Sequence, residues 1–376
     1  MCSSANHRGS HRRLLARVGR GAVVPARVDA VVVPSMRPGV TLRTAVGLAA
    51  AHRCPVVMLH SGPASVYPAH ALAVRAGVEF VGIGKPAVRL AAPQLECDEL
   101  LQGTVFARTD DLSAKRNLGL LLAMLAGWRR IAFLDDDIDV LVPDDLGRAA
   151  ALTRRYPVVG LGLAGFPDNS VVCHANRAVG GFQEMFIGGG ALVVDVQRCD
   201  SPMPNVYNDD WMFMLTTVQS AGAAVIGQAF QAWYDPYADA ERARSQEFGD
   251  CLAEGLFALL DDGRALADAD LDYWRDFLTA RQAFIGTVID RIGGVGRSPH
   301  ERHKMRRALD AAAERCRDVT PELCRDYLAA WQVDRDKWRS LVPDYRRTTG
   351  ESRLDEALAE LGITRYARRA QATTWS

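Results

Sequence analysis

From Val28 onward the chain alternates short continuous apolar runs with stretches whose apolar residues repeat at helical spacing. Continuous runs suit strands buried on both faces, and the 3.6-residue period suits amphipathic helices. Ala30 to Pro34 reads as a strand, Thr41 to His52 as a helix and Pro55 to His60 as a second strand. Ala69 to Gly77 then reads as a helix and Val78 to Ile83 as a third strand. This βαβαβ order predicts a parallel sheet with right-handed crossovers, and ligands of such sheets sit beyond the carboxyl ends of the strands. Leu118, Leu121, Leu122 and Leu125 form one helical stripe, with Ser113 as a candidate N-cap and Gly127 as a stop. Arg130 to Leu134 follows as a central strand.

Further on, Asp144 to Tyr156 reads as helix, Pro157 to Leu163 as strand, and Gly165 to Gly181 as an irregular polar loop holding His174, Asn176 and Arg177. That loop is an acceptor contact or simply carries a hydrogen-bonded histidine. Ala191 to Val194 and Ala223 to Phe230 read as strands, flanking a helix striped by Trp211, Met214, Leu215 and Val218. Beyond Asp239 the strand signal stops. Arg242 to Leu260, Leu271 to Ile292, Pro299 to Arg317, Pro321 to Trp331 and Ser352 to Leu361 all read as helices. The expectation is an α/β, Rossmann-like fold, mostly parallel, with an α-helical C-terminal region. The expected division is a disordered or flexible extension over 1–27, a binding domain over 28–262 and a helical region over 263–376.

The 376 residues suffice for one large or two medium domains. Net charge is zero, which gives no global electrostatic case for nucleic acid or a membrane surface. No apolar run approaches the roughly 20 residues that span a bilayer. The eight Cys are scattered with no C-x-x-C pair, which suggests neither a zinc site nor a disulfide framework. Reduced thiols and a cytoplasmic location are expected.

The candidate chemistry concentrates in two short motifs. Asp135, Asp136, Asp137 and Asp139 crowd the end of a strand, and carboxylates that close repel one another unless a cation joins them. A divalent ion such as Mg²⁺ or Mn²⁺ takes oxygen ligands and needs only one or two carboxylates. Asp135 and Asp137, at i and i+2, share a side of an extended segment. Lys115, Arg116 and Asn117 lie in the first turn of the preceding helix, where free N–H groups and the helix dipole favour phosphate. Together the motifs suit a nucleoside diphosphate bridged by metal. Solvated helix ends and a loop cap are the structural alternative.

"SAKRNLG" followed by "FLDDDI" resembles the donor half of GT-A-fold, family-2-like glycosyltransferases, which use nucleoside-diphosphate sugars. The resemblance runs from about Ala30 to Asp250 in motif order and spacing. It implies a metal-dependent, hexosyltransferase-like enzyme on a GT-A-like sheet. Asp137 is then the leading metal ligand, and Asp135 contacts ribose or donor sugar or shares the metal. Lys115, Arg116, Asn117 and Asp136 join the donor site. Pro34, Ser35 and Arg37, after the first strand, become nucleoside contacts, although Arg37 also reads as an ordinary loop arginine. Asp110 and Asp111 either touch base or ribose or serve as N-terminal helix acids. Gly188, Gly189 and Gly190 lie beside the donor sugar and diphosphate, or make a tight turn.

In Tyr207-Asn-Asp-Asp-Trp211 the resemblance makes Asp210 the first choice for catalytic base and Asp209 the second. If the reaction retains configuration, these acids position a sugar instead. Many family members carry a further histidine ligand near Trp233-Tyr-Asp-Pro236. Here Asp235 substitutes, the metal keeps water, or His300 or His303 reaches back. The basic cluster Arg302, His303, Lys304, Arg306 and Arg307 either receives an anion or forms a solvated face. Two other functions remain open: a nucleotide-sugar mutase of the reversibly glycosylated polypeptide type, and a non-catalytic nucleotide-binding protein on a transferase scaffold. Donor base, acceptor and oligomeric state are not legible.

Overall fold

The computed structural model describes residues 7–38, 42–167, 169–348, 354–364 and 366–369. It is a mixed α/β molecule whose central sheet is mostly parallel, flanked by helices, with a helical C-terminal region. The strands are β1 (Leu15–Arg17), β2 (Ala30–Ser35), β3 (Val56–His60), β4 (Phe80–Gly84), β5 (Arg130–Leu134), β6 (Ile138–Asp139), β7 (Val158–Gly165), β8 (Ala191–Asp195), β9 (Ala223–Gln231) and β10 (Tyr366–Arg369). Their order is β1-β9-β7-β8-β5-β2-β3-β4-β10, with the short β6 pairing β9. β8 is antiparallel to both β5 and β7, and β10 is antiparallel to β4.

The helices before the C-terminal region are α1 (Arg43–His52), α2 (Val66–Ala76), α3 (Lys85–Ala91), α4 (Glu96–Leu101), α5 (Leu112–Leu125), α6 (Asp144–Leu152), α7 (Val171–Ala178) and α8 (Asp209–Ala221). Two apolar cores sandwich the sheet. One gathers α1, α2 and α6 under Val31, Val33, Met58 and Leu134; the other gathers α5 and α8 under Val32, Val57, Ile131 and Phe133. The alternation is the two-residue strand period, since neighbours along a strand face opposite sides. Pro34 sits in a central strand without breaking it, because β5 pairs β2 only through Val32.

α9 (Ala240–Asp261), α10 (Leu271–Arg291), α11 (Pro299–Asp318), α12 (Pro321–Thr348) and α13 (Leu354–Glu360) form the C-terminal region. α12 is much longer than the expected Pro321 to Trp331. It packs on α4 and α5, α13 packs on α5, and β10 joins the sheet edge. Their buried Trp274, Trp331 and Trp338 belong to the same core as α5.

Two expectations in this part of the fold need correction. The arm over 7–27 is not a loose extension: Leu15–Arg17 extends the sheet in register with Ala223 to Val225, and His11 is buried. The composition hid this because the strand is only three residues long and its register is set by β9. Gly165 to Gly181 is not wholly irregular, since it contains α7, capped by Ser170 accepting from the Cys173 N–H. α1 begins at Arg43, and the expected start at Thr41 lies outside the described residues.

Among the described residues no helix is long and apolar enough to cross a membrane. Cys54, Cys97, Cys173, Cys199, Cys251, Cys316 and Cys324 are all buried free thiols.

Candidate functional site

The carboxyl ends of β2, β3 and β5 lie side by side, so their loops meet at one edge of the sheet. Gly119 sets how closely α5 approaches that edge. A Cβ there would stand 2.8 Å from Val32 Cγ1, so glycine is what lets the helix lie flat on β2 and β5. Glycine inside a helix costs about 1 kcal/mol relative to alanine. Here it brings the helix start onto the strand tips.

Lys115 is buried, and its ammonium is fully engaged by neighbours. It donates to the Ser35 carbonyl at 3.0 Å and the Ser61 hydroxyl at 2.7 Å, and pairs with Asp111 at 2.8 Å. It therefore ties three loop ends together rather than projecting into open space. Asn117 departs from its expected donor role in the same way. Its amide both donates to the Met203 carbonyl and accepts from the Met203 N–H, at 2.8 and 2.7 Å, which clamps the loop before α8. Ser113 is not the helix cap. That position is Asp111, while the Ser113 hydroxyl lies 2.9 Å from Asp209 and 2.9 Å from the Pro204 carbonyl.

Arg116 joins the acidic motifs. Its guanidinium donates to Asp209 at 2.7 Å and to Asp135 at 3.1 Å. Burial disfavours its charge, but Asp209, Asp135 and Asp210 outweigh that and hold its pKa above the usual arginine value. The glycine run lies directly against this network. A Cβ on Gly188 would come 3.2 Å from Asp210, on Gly189 2.7 Å from Arg116 and on Gly190 3.3 Å from Asp135. The close approach foreseen for these glycines is thus to the protein's own ion network. The antiparallel β5–β8 pairing sets the register, continued by the Asp135 N–H donating to the Gly190 carbonyl at 2.9 Å.

The two acids opening α8 differ. Asp209 is 3 % exposed and accepts from Ser113, Arg116 and the Asp210 N–H. Burial pushes its carboxyl up to about 6 against the pull of Arg116. Asp210 is only partly buried, accepts from the Gly189 and Trp211 N–H groups, and faces a cavity of about 190 Å³ shared with Asp135, Arg116 and Asp110. Burial raises its carboxyl too, offset by Arg116. Asn208, just ahead, adopts φ 61°, the left-handed region, and is tied to Asp250 at 3.1 Å. That uncommon conformation for a residue other than glycine turns the chain into α8.

At the β5 tip the side chains are 27 % exposed for Asp135, 4 % for Asp136 and 15 % for Asp137, so Asp136 is the one closed off. It accepts from the Ser35 hydroxyl at 2.8 Å and from the Arg37 guanidinium. Arg37 also donates to Asp137 at 2.8 Å, and the Gln231 amide donates to Asp137 from the end of β9. Asp137 is held above the usual carboxylate range, first by burial and then by Asp135 and Asp136, with Arg37 opposing. Asp135 and Asp137 are half-buried hard-oxygen donors of the kind a divalent ion takes, each already paired with an arginine.

Asp235, one of the expected alternatives for a third ligand, pairs with Lys304 at 2.8 Å. Among the described residues the one trio of potential ligand atoms mutually within 4.8 Å is elsewhere, at Glu247, Cys251 and Cys316.

Pro34 is buried within β2, and Ser35 and Arg37 reach the acidic tip rather than standing apart from it. Asp110 borders the cavity, whereas Asp111 is engaged by Lys115 and Ser61. Gln231 and the N-terminal arm were not foreseen. Arg8, Ser10 and His11 border the cavity beside Asp210, and no local pattern signals this because the contacts span more than 170 residues.

No protein-family model and no curated protein matches the chain. Among solved structures it is similar to the mannosyltransferase PcManGT from Pyrobaculum calidifontis in complex with GDP-Man and Mn²⁺. That likeness is at 12% identity, TM-score 0.41, and covers 90% of this chain and 92% of that one. It is also similar to a mycobacterial protein at 13% identity and TM-score 0.38, over 64% of this chain and 76% of that one. Similarities this distant carry no argument about chemistry.

Proposed function

We propose that the chain is a glycosyltransferase that moves a sugar from a nucleoside diphosphate to an acceptor hydroxyl. The observation that carries this reading is the line Asp210–Arg116–Asp135, laid along Gly188, Gly189 and Gly190 at the edge of one cavity. Its two ends have different chemistry. Asp210 is a raised, partly exposed carboxylate, suited to accept a proton. Asp135 and Asp137 are half-buried oxygen donors of a kind suited to a divalent ion, Mn²⁺ or Mg²⁺.

In this reading Asp210 takes the proton of the acceptor hydroxyl as that oxygen bonds to the anomeric carbon. The carbon–oxygen bond to the diphosphate breaks, and its electron pair leaves with the nucleoside diphosphate. A divalent ion held by Asp135 and Asp137 would supply positive charge to that leaving group. Asp209 positions Arg116 and does not reach substrate. Lys115 fixes the β2 and β3 loops, so its effect on the donor is through Ser35 and Ser61.

The test is turnover of a nucleotide-sugar panel, with release of nucleoside diphosphate as readout. The wild type should turn over at least one donor with Mn²⁺, and Asp210→Asn should fall by about 10²–10⁴, the usual share of a general base. No turnover by the wild type, with tight nucleotide binding, would favour the non-catalytic reading. Interconversion of the sugar ring without acceptor would favour the mutase.

A further inference from the structure

A second cavity, of about 410 Å³, lies beside the end of β9, within the size range that holds a small molecule. Gln231 lies between its wall and Asp137. Its amide holds Asp137, its carbonyl accepts from the Phe166 N–H at 3.3 Å, and Trp233 follows two residues later. The cavity wall is aromatic on one side. Phe166 stacks on His174 at 5.0 Å and 19°, and meets Trp233 edge-on at 6.2 Å. Trp233 is 74 % exposed, a large apolar plate open to whatever enters.

The other side is charged. Arg177, Arg297 and Lys304 line it against Asp235 and Glu301. Lys304 pairs with Asp235 at 2.8 Å, and Arg297 reaches Glu301 only at 3.8 Å. Arg177 has no ionic partner among the described residues, and Arg242, outside the lining, stands 4.3 Å over the Tyr234 ring. Among the described lining residues three cations face two carboxylates. His174 adds no charge: burial, then Arg242, Arg177 and Arg297, drive its pKa down to about 3. It hydrogen-bonds Tyr234 at 2.9 Å as a neutral ring.

We infer that this second cavity is a binding site for a saccharide bearing an anionic group, a phosphate or a carboxylate. The inference does not depend on the glycosyltransferase reading. The exposed indole suits the C–H face of a sugar ring, and guanidinium groups suit phosphate and carboxylate by paired hydrogen bonds. The basic residues of α11 thus divide: Lys304 faces this cavity, while Arg306 pairs with Asp310 along its own helix.

The test is titration of the full chain with a hexose 6-phosphate, a hexuronate and the neutral hexose, read by tryptophan fluorescence and calorimetry without nucleotide. The wild type should bind both anionic sugars at least about tenfold more tightly than the neutral one, the effect of one charge-assisted contact. Trp233→Ala and Arg177→Ala should each weaken the anionic sugars by at least about tenfold. Both side chains are exposed, so circular dichroism should be unchanged. Equal affinity for the neutral sugar, no binding by the wild type, or no loss in either variant would overturn the inference.

Nucleoside diphosphate binding with Mn²⁺, measured on the same samples, separates the two readings. Nucleotide binding without anionic-sugar binding overturns this site and leaves the transferase standing. Anionic-sugar binding without nucleotide binding does the reverse.

Discussion

The Arg116 guanidinium stands 3.1 Å from Asp135, so the basic helix start and the acidic strand tip are in direct contact. From sequence the two motifs are expected to face each other across a gap that a metal-bridged pyrophosphate fills. They do converge on one edge of the sheet. The pairing closes the gap, and Asp135 borders the cavity that Asp210 faces.

Arg116→Ala should lower unfolding free energy by about 3–5 kcal/mol, because Asp209 is left buried without its cation. Arg116→Lys keeps the charge but not the two-pronged reach, and should fall between. Chemical denaturation followed by circular dichroism measures both. Wild-type stability in the alanine variant would mean that the network is not holding the site.

Gly189→Ala should cost about 1–3 kcal/mol, because its Cβ would stand 2.7 Å from the Arg116 guanidinium carbon. Gly127→Ala is the contrast. Nothing lies within 4 Å of a Cβ there, and its cost is the left-handed φ of 71° alone. Turnover should drop in the Gly189 variant and persist in the other.

The N-terminal arm predicts a pH-dependent stability. His11 lies 3.4 Å from Glu254 and 3.5 Å from Asp261. Burial opposes its charge, yet close contact with the Asp261 and Glu254 carboxylates raises its pKa from 6.5 to about 9. That shift is worth about 3 kcal/mol. Because the folded pKa is the higher one, this stability is fully present below about pH 6.5 and lost as pH rises through about 9. Glu254 and Asp261 are lowered by the same contacts, so their contribution is lost on acidification below the ordinary carboxylate range. Denaturation midpoints from pH 6 to 10 should fall in the wild type, and His11→Ala should flatten that slope. An unchanged slope would refute the clasp.

Burial raises Asp210, with Arg116 and the Gly189 and Trp211 N–H groups opposing, so the turnover rate should fall on acidification with an inflection above the ordinary aspartate value of 3.8. Arg116→Lys should shift that inflection upward, since the closest opposing charge is displaced. A pH–rate profile on both proteins checks the direction.

The sheet strands that run as unbroken Val and Ile segments were legible in the sequence, since burial on both faces leaves that pattern. Leu15–Arg17 and Tyr366–Arg369 were not, because an edge strand of three or four residues takes its register from its partner. The site was legible as residue types: Asp135 and Asp210 border one cavity, while Asp137 is held by Arg37 and Gln231. What composition and spacing cannot carry is which side chain is already engaged. Lys115 and Asn117 read as ligand groups, yet each is held by loops 54 to 86 residues away. Gln231 carried no signal at all, because its role comes from β6 pairing with β9.

The most direct test of the central claim is calorimetric titration of GDP and UDP into the wild type and Asp137→Ala, with Mn²⁺ and with chelator. The account predicts binding that requires Mn²⁺ and weakens at least about tenfold in the variant, the loss of one ionic ligand. Equal affinity in all four conditions, or none in any, would contradict it.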